Sequence, residues 1–314
     1  MALRQNRHEW GPRMTDSMFR AATQDHSYET SETRDQAQLL QLLNPQRLFA
    51  AYALAQLEPD AFPYTHWWIS RHRGHSSLVC HSRAGLGDAT FALGDPDGVA
   101  AILSIHPGQY QTFATAKPDH ITALEEAYSL TGARTMLRMH LTADRFQPVE
   151  PPSDQGVSVF RLRGHQVRTL NRLYGSEGGP TSYQSRHIDD GCYHGVVEKG
   201  RLVAVAGTHA VSPSQRIAVI GNVFTHPRHR GRGYATLATS ASSAALLRSC
   251  DDVVLSVDPS NLPAVRAYEH LGYTHADDIV EAAARRRSGG LTVGFRSLLA
   301  NFRGRRHQLQ IVHR

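Results

Sequence analysis

Regular hydrophobic patterning begins at Asp35. Residues 1–34 are polar, lack periodicity and are rich in Gln, His, Ser, Thr and Glu, so they read as a flexible arm. From Asp35, the run DQAQLLQLL sets Leu39, Leu42 and Leu43 on one helical face. After Pro45 the spacing of Leu48, Tyr52 and Leu57 predicts a second helix. Short strand-like runs follow Pro63, at 76–81, 89–94 and 99–104, separated by Gly/Asp turns such as GDPDG (94–98). A helix is expected over 122–130. A half-buried strand is expected over 134–141, where Leu137, Met139 and Leu141 alternate with Met136, Arg138 and His140.

Three prolines in FQPVEPPSDQG (146–156) interrupt the pattern and mark a domain boundary. The second half predicts a strand at 157–162, a helix around 165–176 and strands at 192–198, 201–211 and 216–225. Their connections are too short for crossovers, so these strands should be antiparallel neighbours. A helix at 234–249, a strand at 252–257, a helix at 262–271 and a final strand at 278–286 complete it. The expected fold class is α/β (α+β), a mixed, mostly antiparallel sheet flanked by helices. The domains are an arm (1–34), an N-terminal module (35–146), a second module (147–287) and a tail (288–314). No exact internal sequence repeat is visible.

The composition, 40% hydrophobic and 20% charged over 314 residues, fits an ordinary globular protein of about two domains. No apolar run reaches the ~18 residues of a membrane span, and the first residues lack the apolar core of a secretory signal. Cys80, Cys192 and Cys250 form no CxxC pair and read as thiols in a reducing compartment, so a cytoplasmic location is expected. The net charge of +6 is local. Residues 285–314 hold eight Arg and no acid, and without them 26 basic residues face 28 acidic ones. Nucleic-acid contact is therefore expected only through the tail, where Leu291, Phe295, Leu298, Leu299 and Phe302 interleave with arginines. A docking helix or an extension serves as well for that tail.

The informative chemistry lies in FTHPRHRGRGYATLATSASSAALL (224–247). A strand ends at Thr225, Pro227 turns the chain, and a basic segment with Gly231 and Gly233 enters a helix that should bury Leu237, Ala241 and Ala244/Ala245. Backbone N–H groups at that helix start favour phosphate oxygens, and the glycines allow close approach. Arg228, Arg230 and Arg232 add charge. A Walker loop would need GxxxxGK[ST], and a dinucleotide fingerprint GxGxxG; neither is present. No cluster has standard zinc spacing, since His72, His75, Cys80 and His81 fall in the order H-x2-H-x4-C-H, so no metal site is expected.

Arg228, Gly231 and Gly233, in R-x-x-G-x-G between strand and helix, resemble the acyl-CoA pyrophosphate loop of the GCN5-related N-acetyltransferase superfamily. Asn261, Ala264, Tyr268, Gly272 and Tyr273 resemble its next block, and the likeness covers about 157–287. The resemblance implies an acyl-CoA-dependent N-acyltransferase using acetyl-CoA and a primary amine of a small molecule or peptide. Backbone groups across His229, Arg230, Gly231, Arg232, Gly233, Tyr234 and Ala235 would cradle the pyrophosphate. The strand ending Val223, Phe224 and Thr225 would pair with the pantetheine amides, and Val223 N–H could polarise the thioester. Asn261 would bond the pantetheine arm or cap its helix. Tyr268 would protonate the leaving thiolate, or simply fill the apolar stripe of that helix.

The strand before the loop carries no carboxylate where many superfamily members have a glutamate. His209, His226 or a water chain are the candidates for the base. The first module, without an R-x-x-G-x-G of its own, resembles the degenerate N-terminal modules of glycine N-acyltransferase-like and mycothiol synthase-like members. The acceptor is then expected between modules, near 175–191. A non-catalytic acyl-CoA-binding regulatory module, its tail touching a nucleic acid or protein, is the competing expectation.

Overall fold

The structure, a computed structural model, describes residues 28–84, 87–151, 156–179 and 181–287. Most of the arm and all of the tail expected at 288–314 lie outside the described residues. The first half comprises β1 (Glu29–Thr33), α1 (Gln36–Leu43), α2 (Ala51–Ala55), β2 (Thr65–His72), β3 (His75–Ser82), β4 (Ala89–Leu93), α3 (Pro96–Ile105), β5 (Gln111–Ala116), α4 (Ile121–Ala127) and β6 (Tyr128–Leu141). The second comprises β7 (Val157–Arg161), α5 (Val167–Gly175), α6 (Ser185–Asp189), β8 (His194–Glu198), β9 (Arg201–Ser212), β10 (Ile217–Thr225), α7 (Tyr234–Leu246), β11 (Asp252–Val257), α8 (Leu262–His270) and β12 (Thr274–Arg286). The two series have the same order of elements. The repeat that the sequence conceals is carried by topology.

Two expectations need correction. Glu29–Thr33, inside the stretch read as an arm, pairs with Arg71–Trp67 as an edge strand. None of the five residues is buried on either face, so this edge strand is held by backbone pairing and carries no hydrophobic alternation. VAAILS (99–104), read as a strand, lies in α3. The Asp95 carboxylate caps that helix by accepting from Gly98 N–H at 3.3 Å, Pro96 occupies its first turn, and Val99, Ile102 and Leu103 are buried at helical spacing. A short apolar run bounded by turn residues fits either state, and here the turn was the cap.

The strands of the described residues join one sheet in the order β1-β2-β3-β4-β5-β12-β6-β11-β10-β9-β8-β7. The halves exchange their last strands: β12 lies between β5 and β6, and β6 lies between β12 and β11. The central β6–β12 pair is antiparallel from Tyr128↔Arg286 to Thr274↔His140. In each half one parallel pair, β4–β5 and β10–β11, is bridged by a helix. Cores cover both faces. On one, α1 and α2 bury Leu39, Leu43, Phe49 and Leu54 against Trp67, Ile69, Val219 and Val254. On the other, Ala218, Ile220, Leu255 and Val257 pack with Tyr268 and Tyr273.

The first half therefore reaches over the second. Arg47 pairs with Asp252 at 3.1 Å and donates to the carbonyl of Gln215 at 2.7 Å. Glu58 accepts from the Ser212 hydroxyl and from Ser214 N–H.

Candidate active site

Strands β10 and β11 run in parallel register only from Ile217↔Asp252 to Ile220↔Leu255. Beyond that point Gly221–Thr225 follow β9, while Ser256 and Val257 follow β6, so the sheet opens between them. Two bulges shape the opening. The β9 register skips His209, and β10 carries an extra residue between Gly221 and Phe224. Such bulges re-aim side chains next to sites.

Asn222, at φ 54°, takes the left-handed conformation that Asn tolerates better than most residues. Four groups hold it there. Its N–H donates to His209 Nε2 at 3.2 Å, and its side-chain amide donates to Tyr193 Oη at 2.9 Å. Tyr183 donates to Asn222 Oδ1 at 2.7 Å, and Tyr174 to its carbonyl at 2.6 Å. Val223, Phe224 and Thr225 continue along this margin of the opening.

The basic segment lies where β10 ends. His226 Nδ1 accepts from Arg228 N–H at 3.2 Å and starts a short 3-10 turn, Pro227–His229. Gly231 and Gly233 both have φ 77°, and a Cβ on either would meet nothing within 4 Å. Glycine is required by the backbone conformation, and the space in front of the loop is open. Tyr234 and Ala235 then begin α7, with Tyr234 buried. Of the three arginines that add charge here, two are engaged. Arg230 pairs with Glu177, and Arg232 with Glu198 at 3.0 Å. His229 also contacts Glu198, at 2.7 Å. Burial acts to raise the Glu198 carboxyl, but Tyr234, His229 and Arg232 outweigh it and hold its pKa below the ordinary value.

Inside α7 the buried side includes Leu237, Ser240, Ser243 and Leu246, while Ala241, Ala244 and Ala245 are half-buried. The helix is thus turned from the expected face. Its serines are satisfied by partners such as Tyr273, 2.8 Å from Ser243.

Tyr268, on α8, packs in the core that includes Leu255 and Val257 and is 7% exposed. Burial raises its pKa to about 12, so the phenol is protonated at neutral pH. Asn261 caps α8 through Oδ1, accepting from Ala264 N–H at 3.3 Å.

On the opposite face, against α2, lies a group of residues that sequence reasoning missed apart from His209. Tyr52 Oη is 3.2 Å from His209 Nδ1. The guanidinium carbon of the fully buried Arg138 stands 4.9 Å from the Tyr52 ring centroid. Ser256 and Glu281 approach the same phenol. Cross-strand register predicts part of this, because Arg138 pairs with Ser256, the first β11 residue past the divergence. No sequence pattern brings α2 there. His209 is exposed to the cavities beside it, and desolvation by the atoms packed round its ring lowers its pKa to about 4 against the Asn222 hydrogen bond, so it is neutral at pH 7.

Two cavities meet at this histidine. One, about 480 Å³, is bordered by Glu58, Asp60, Arg186, His187 and Asp190. The other, about 370 Å³, is bordered by Tyr52, Ala53, Phe91 and Phe113. His209 and Ala210 line both. Among the described residues, no group of three His, Cys, Asp or Glu is arranged to hold a metal ion, and no helix is long and apolar enough to cross a membrane.

The site is thus an opened parallel pair with a glycine-bearing loop at the head of the following helix. Residues 162–273 match the model of the Acetyltransferase (GNAT) family. Solved structures of the same fold extend over both halves. A GCN5-related N-acetyltransferase from Sphaerobacter thermophilus is 16% identical, with TM-score 0.53, covering 85% of this chain and 98% of its own. A tandem GNAT protein from the clavulanic acid biosynthesis pathway, solved without AcCoA, is 17% identical with TM-score 0.51, covering 84% and 100%. A Drosophila protein is 15% identical with TM-score 0.59, covering 82% and 99%. Such likeness establishes the fold. A search of curated proteins finds no match.

Proposed function

We propose that the protein is a cytoplasmic acyl-CoA-dependent N-acyltransferase that transfers acetyl from acetyl-CoA to a primary amine of a small molecule or peptide. The observation that carries this reading is the split between β10 and β11, with different chemistry on its two faces. The phosphate-favouring loop and Tyr268 belong to the α7/α8 face, and the cavities meeting at His209 belong to the α2 face. A thioester in the split would present its sulfur to Tyr268 and its carbonyl to an amine arriving from the cavities. Backbone groups from His229 to Ala235 would hold the pyrophosphate, as the open space before Gly231 and Gly233 permits. Arg228 is exposed and forms no ion pair among the described residues, unlike Arg230 and Arg232, so it is the arginine available to phosphate. Val223 N–H would polarise the thioester carbonyl.

Holding amine and thioester together supplies much of the acceleration. Tyr268 then donates to the departing thiolate. The N-terminal half serves as a degenerate module. Its equivalent helix, α3, starts with Asp95 and Asp97 where α7 starts with glycines and arginines, and carboxylates at that position repel phosphate. The cytoplasmic setting suits Cys80, Cys192 and Cys250, which are buried free thiols.

The experiment is a thermal-shift titration with acetyl-CoA, longer acyl-CoAs, NAD and ATP, followed by detection of free thiol in the presence of amines. Selective stabilisation by a CoA ester is expected, and it should vanish in a Gly231→Asp/Gly233→Asp double variant. Stabilisation without any thiol release would favour the non-catalytic binding module. No response to any CoA species would sink the donor assignment.

A further inference from the structure

We infer that the acceptor's proton passes through the phenol of Tyr52 to Glu281, so that the base of the reaction is assembled from both halves of the chain, with His209 orienting Tyr52. This rests on the acyl-transfer reading above.

The hydrogen bonds at His209 fix the direction of the relay. Asn222 N–H can only donate, so His209 Nε2 must accept. In a neutral imidazole the proton is then on Nδ1, which donates to Tyr52 Oη. The lone pair of His209 is occupied, and the ring is not free to act as the base. The Tyr52 proton must go to another acceptor. Its remaining polar neighbours are Arg138, Ser256 and Glu281. Arg138 has no acceptor atom. Among the described residues, Glu281 Oε1 and Ser256 Oγ are buried beside the phenol without a well-formed hydrogen bond of their own. The carboxylate is the stronger acceptor.

The place is also right. Ser256 is the first residue of β11 beyond the point where β10 diverges, and Tyr52 lines the apolar cavity. An amine entering from that cavity meets Tyr52 before it reaches the opened strands. In the proton step one N–H bond of the ammonium breaks as that proton goes to Tyr52 Oη. The phenol's own O–H breaks as its proton goes to the Glu281 carboxylate. The phenol is regenerated, Glu281 becomes the neutral acid, and the amine lone pair is free to attack the thioester. No electrons are transferred to or from the protein.

The groups facing Glu281 are Arg138 on β6, Tyr52 on α2, Ser256 on β11 and, across the strands, Thr115 and Arg134. Arg134 is engaged with Asp258 at 3.1 Å. Burial raises the Glu281 carboxyl above its ordinary value while Arg138 opposes the rise, which suits a proton acceptor.

The test uses the full chain, acetyl-CoA and phenethylamine as a probe amine sized for the apolar cavity, with thiol release followed across pH. Glu281→Gln and Tyr52→Phe should each lower turnover about 100-fold at pH 7. Both should keep the wild-type stabilisation by acetyl-CoA. The loss should shrink as pH rises through the amine's own pKa, because a free amine needs no base. Unchanged turnover, or an equal loss at every pH, would overturn the relay. Should Glu281→Gln fail to fold, ¹⁵N NMR of His209 in the wild-type protein decides without any acceptor: Nδ1–H supports the relay and Nε2–H overturns it. A wild-type chain unresponsive to acetyl-CoA would instead be a failure of the acyl-transfer reading.

Discussion

His209 packs so closely on Gly221 that a Cβ added to the glycine would stand 2.0 Å from His209 Cδ2. The two residues belong to neighbouring strands at the point where both are irregular: the bulge at His209 turns its ring over the β10 backbone, and the missing side chain at Gly221 makes room for it. Gly221→Ala should therefore push the imidazole away from Asn222 N–H and Tyr52. We expect a stability loss of about 1–3 kcal/mol, the usual range for overpacking, together with reduced turnover and little change in acetyl-CoA affinity. Calorimetry and a binding titration on the same variant check this. A wild-type melting point would show that the ring can move without cost.

Tyr268 tests the leaving-group side. Its phenol is buried and protonated up to about pH 12, so it can only donate near neutrality. Tyr268→Phe keeps the ring contacts with Leu255, Val257 and Tyr273 and removes the hydroxyl alone. Turnover should fall by about 100-fold if the hydroxyl donates to the thiolate, with acetyl-CoA stabilisation nearly intact. Equal turnover at all pH values would leave Tyr268 as core packing. The loss should be smaller with a thioester whose thiol is a stronger acid.

Acid should weaken the fold between pH 6.5 and about 4, and buried histidines are the cause. His81, which is buried, and His106 and His194, which are half-buried, lie near 4 instead of 6.5, chiefly through desolvation. A histidine with a depressed native pKa stays neutral while the unfolded chain takes up its proton. Its contribution is full above pH 6.5 and is lost as pH falls towards 4. His81 is the best case, being 3% exposed and held by Thr90 at 3.0 Å and the His106 carbonyl at 2.9 Å. On its own it accounts for about 3 kcal/mol by pH 4. The melting temperature should fall steadily from pH 7 to 5. His81→Gln, which cannot titrate, should flatten part of that slope, and an unchanged slope would point to other groups.

The legible parts of this chain were those written in local pattern. The meander β8–β9–β10, the helix after Gly233 and the block around Tyr268 all follow from periodicity, turn residues and short connections. What stayed hidden was set by long-range pairing. The β6–β12 exchange places residues more than a hundred positions apart side by side, and neither strand carries a signal that names its partner. Tyr52 was visible as a buried helical residue. Only the docking of α2 on β9 and β10, fixed by Arg47–Asp252 and Glu58–Ser212, turns it towards His209. The carboxylate sought on β10 was absent there, and Glu281 brings one from β12, a strand that sequence order gives no reason to place near the opening.

The strand exchange predicts that neither half stands alone. A cut in the segment between β6 and β7 leaves the second half with β12 but without β6, its neighbour along Thr274–Arg286 and the neighbour of β11 along Val253–Val257. The exposed edge would be Val253, Val254 and Leu255, an apolar strand with unpaired backbone groups, and such edges aggregate. The first half would lose β12 from between β5 and β6, opening a gap at Thr115 and Ala116. Residues 1–151 and 156–314 expressed separately should therefore show no cooperative melting, and mixed during refolding they should recover a sheet that responds to acetyl-CoA. A second half that melts cooperatively on its own would mean that β12 can close onto β11 in the absence of β6, and that the first half is an addition to a complete domain. Failure alone with recovery together would instead make the first half a structural part of the acyl-transfer domain, as the interleaved strands require.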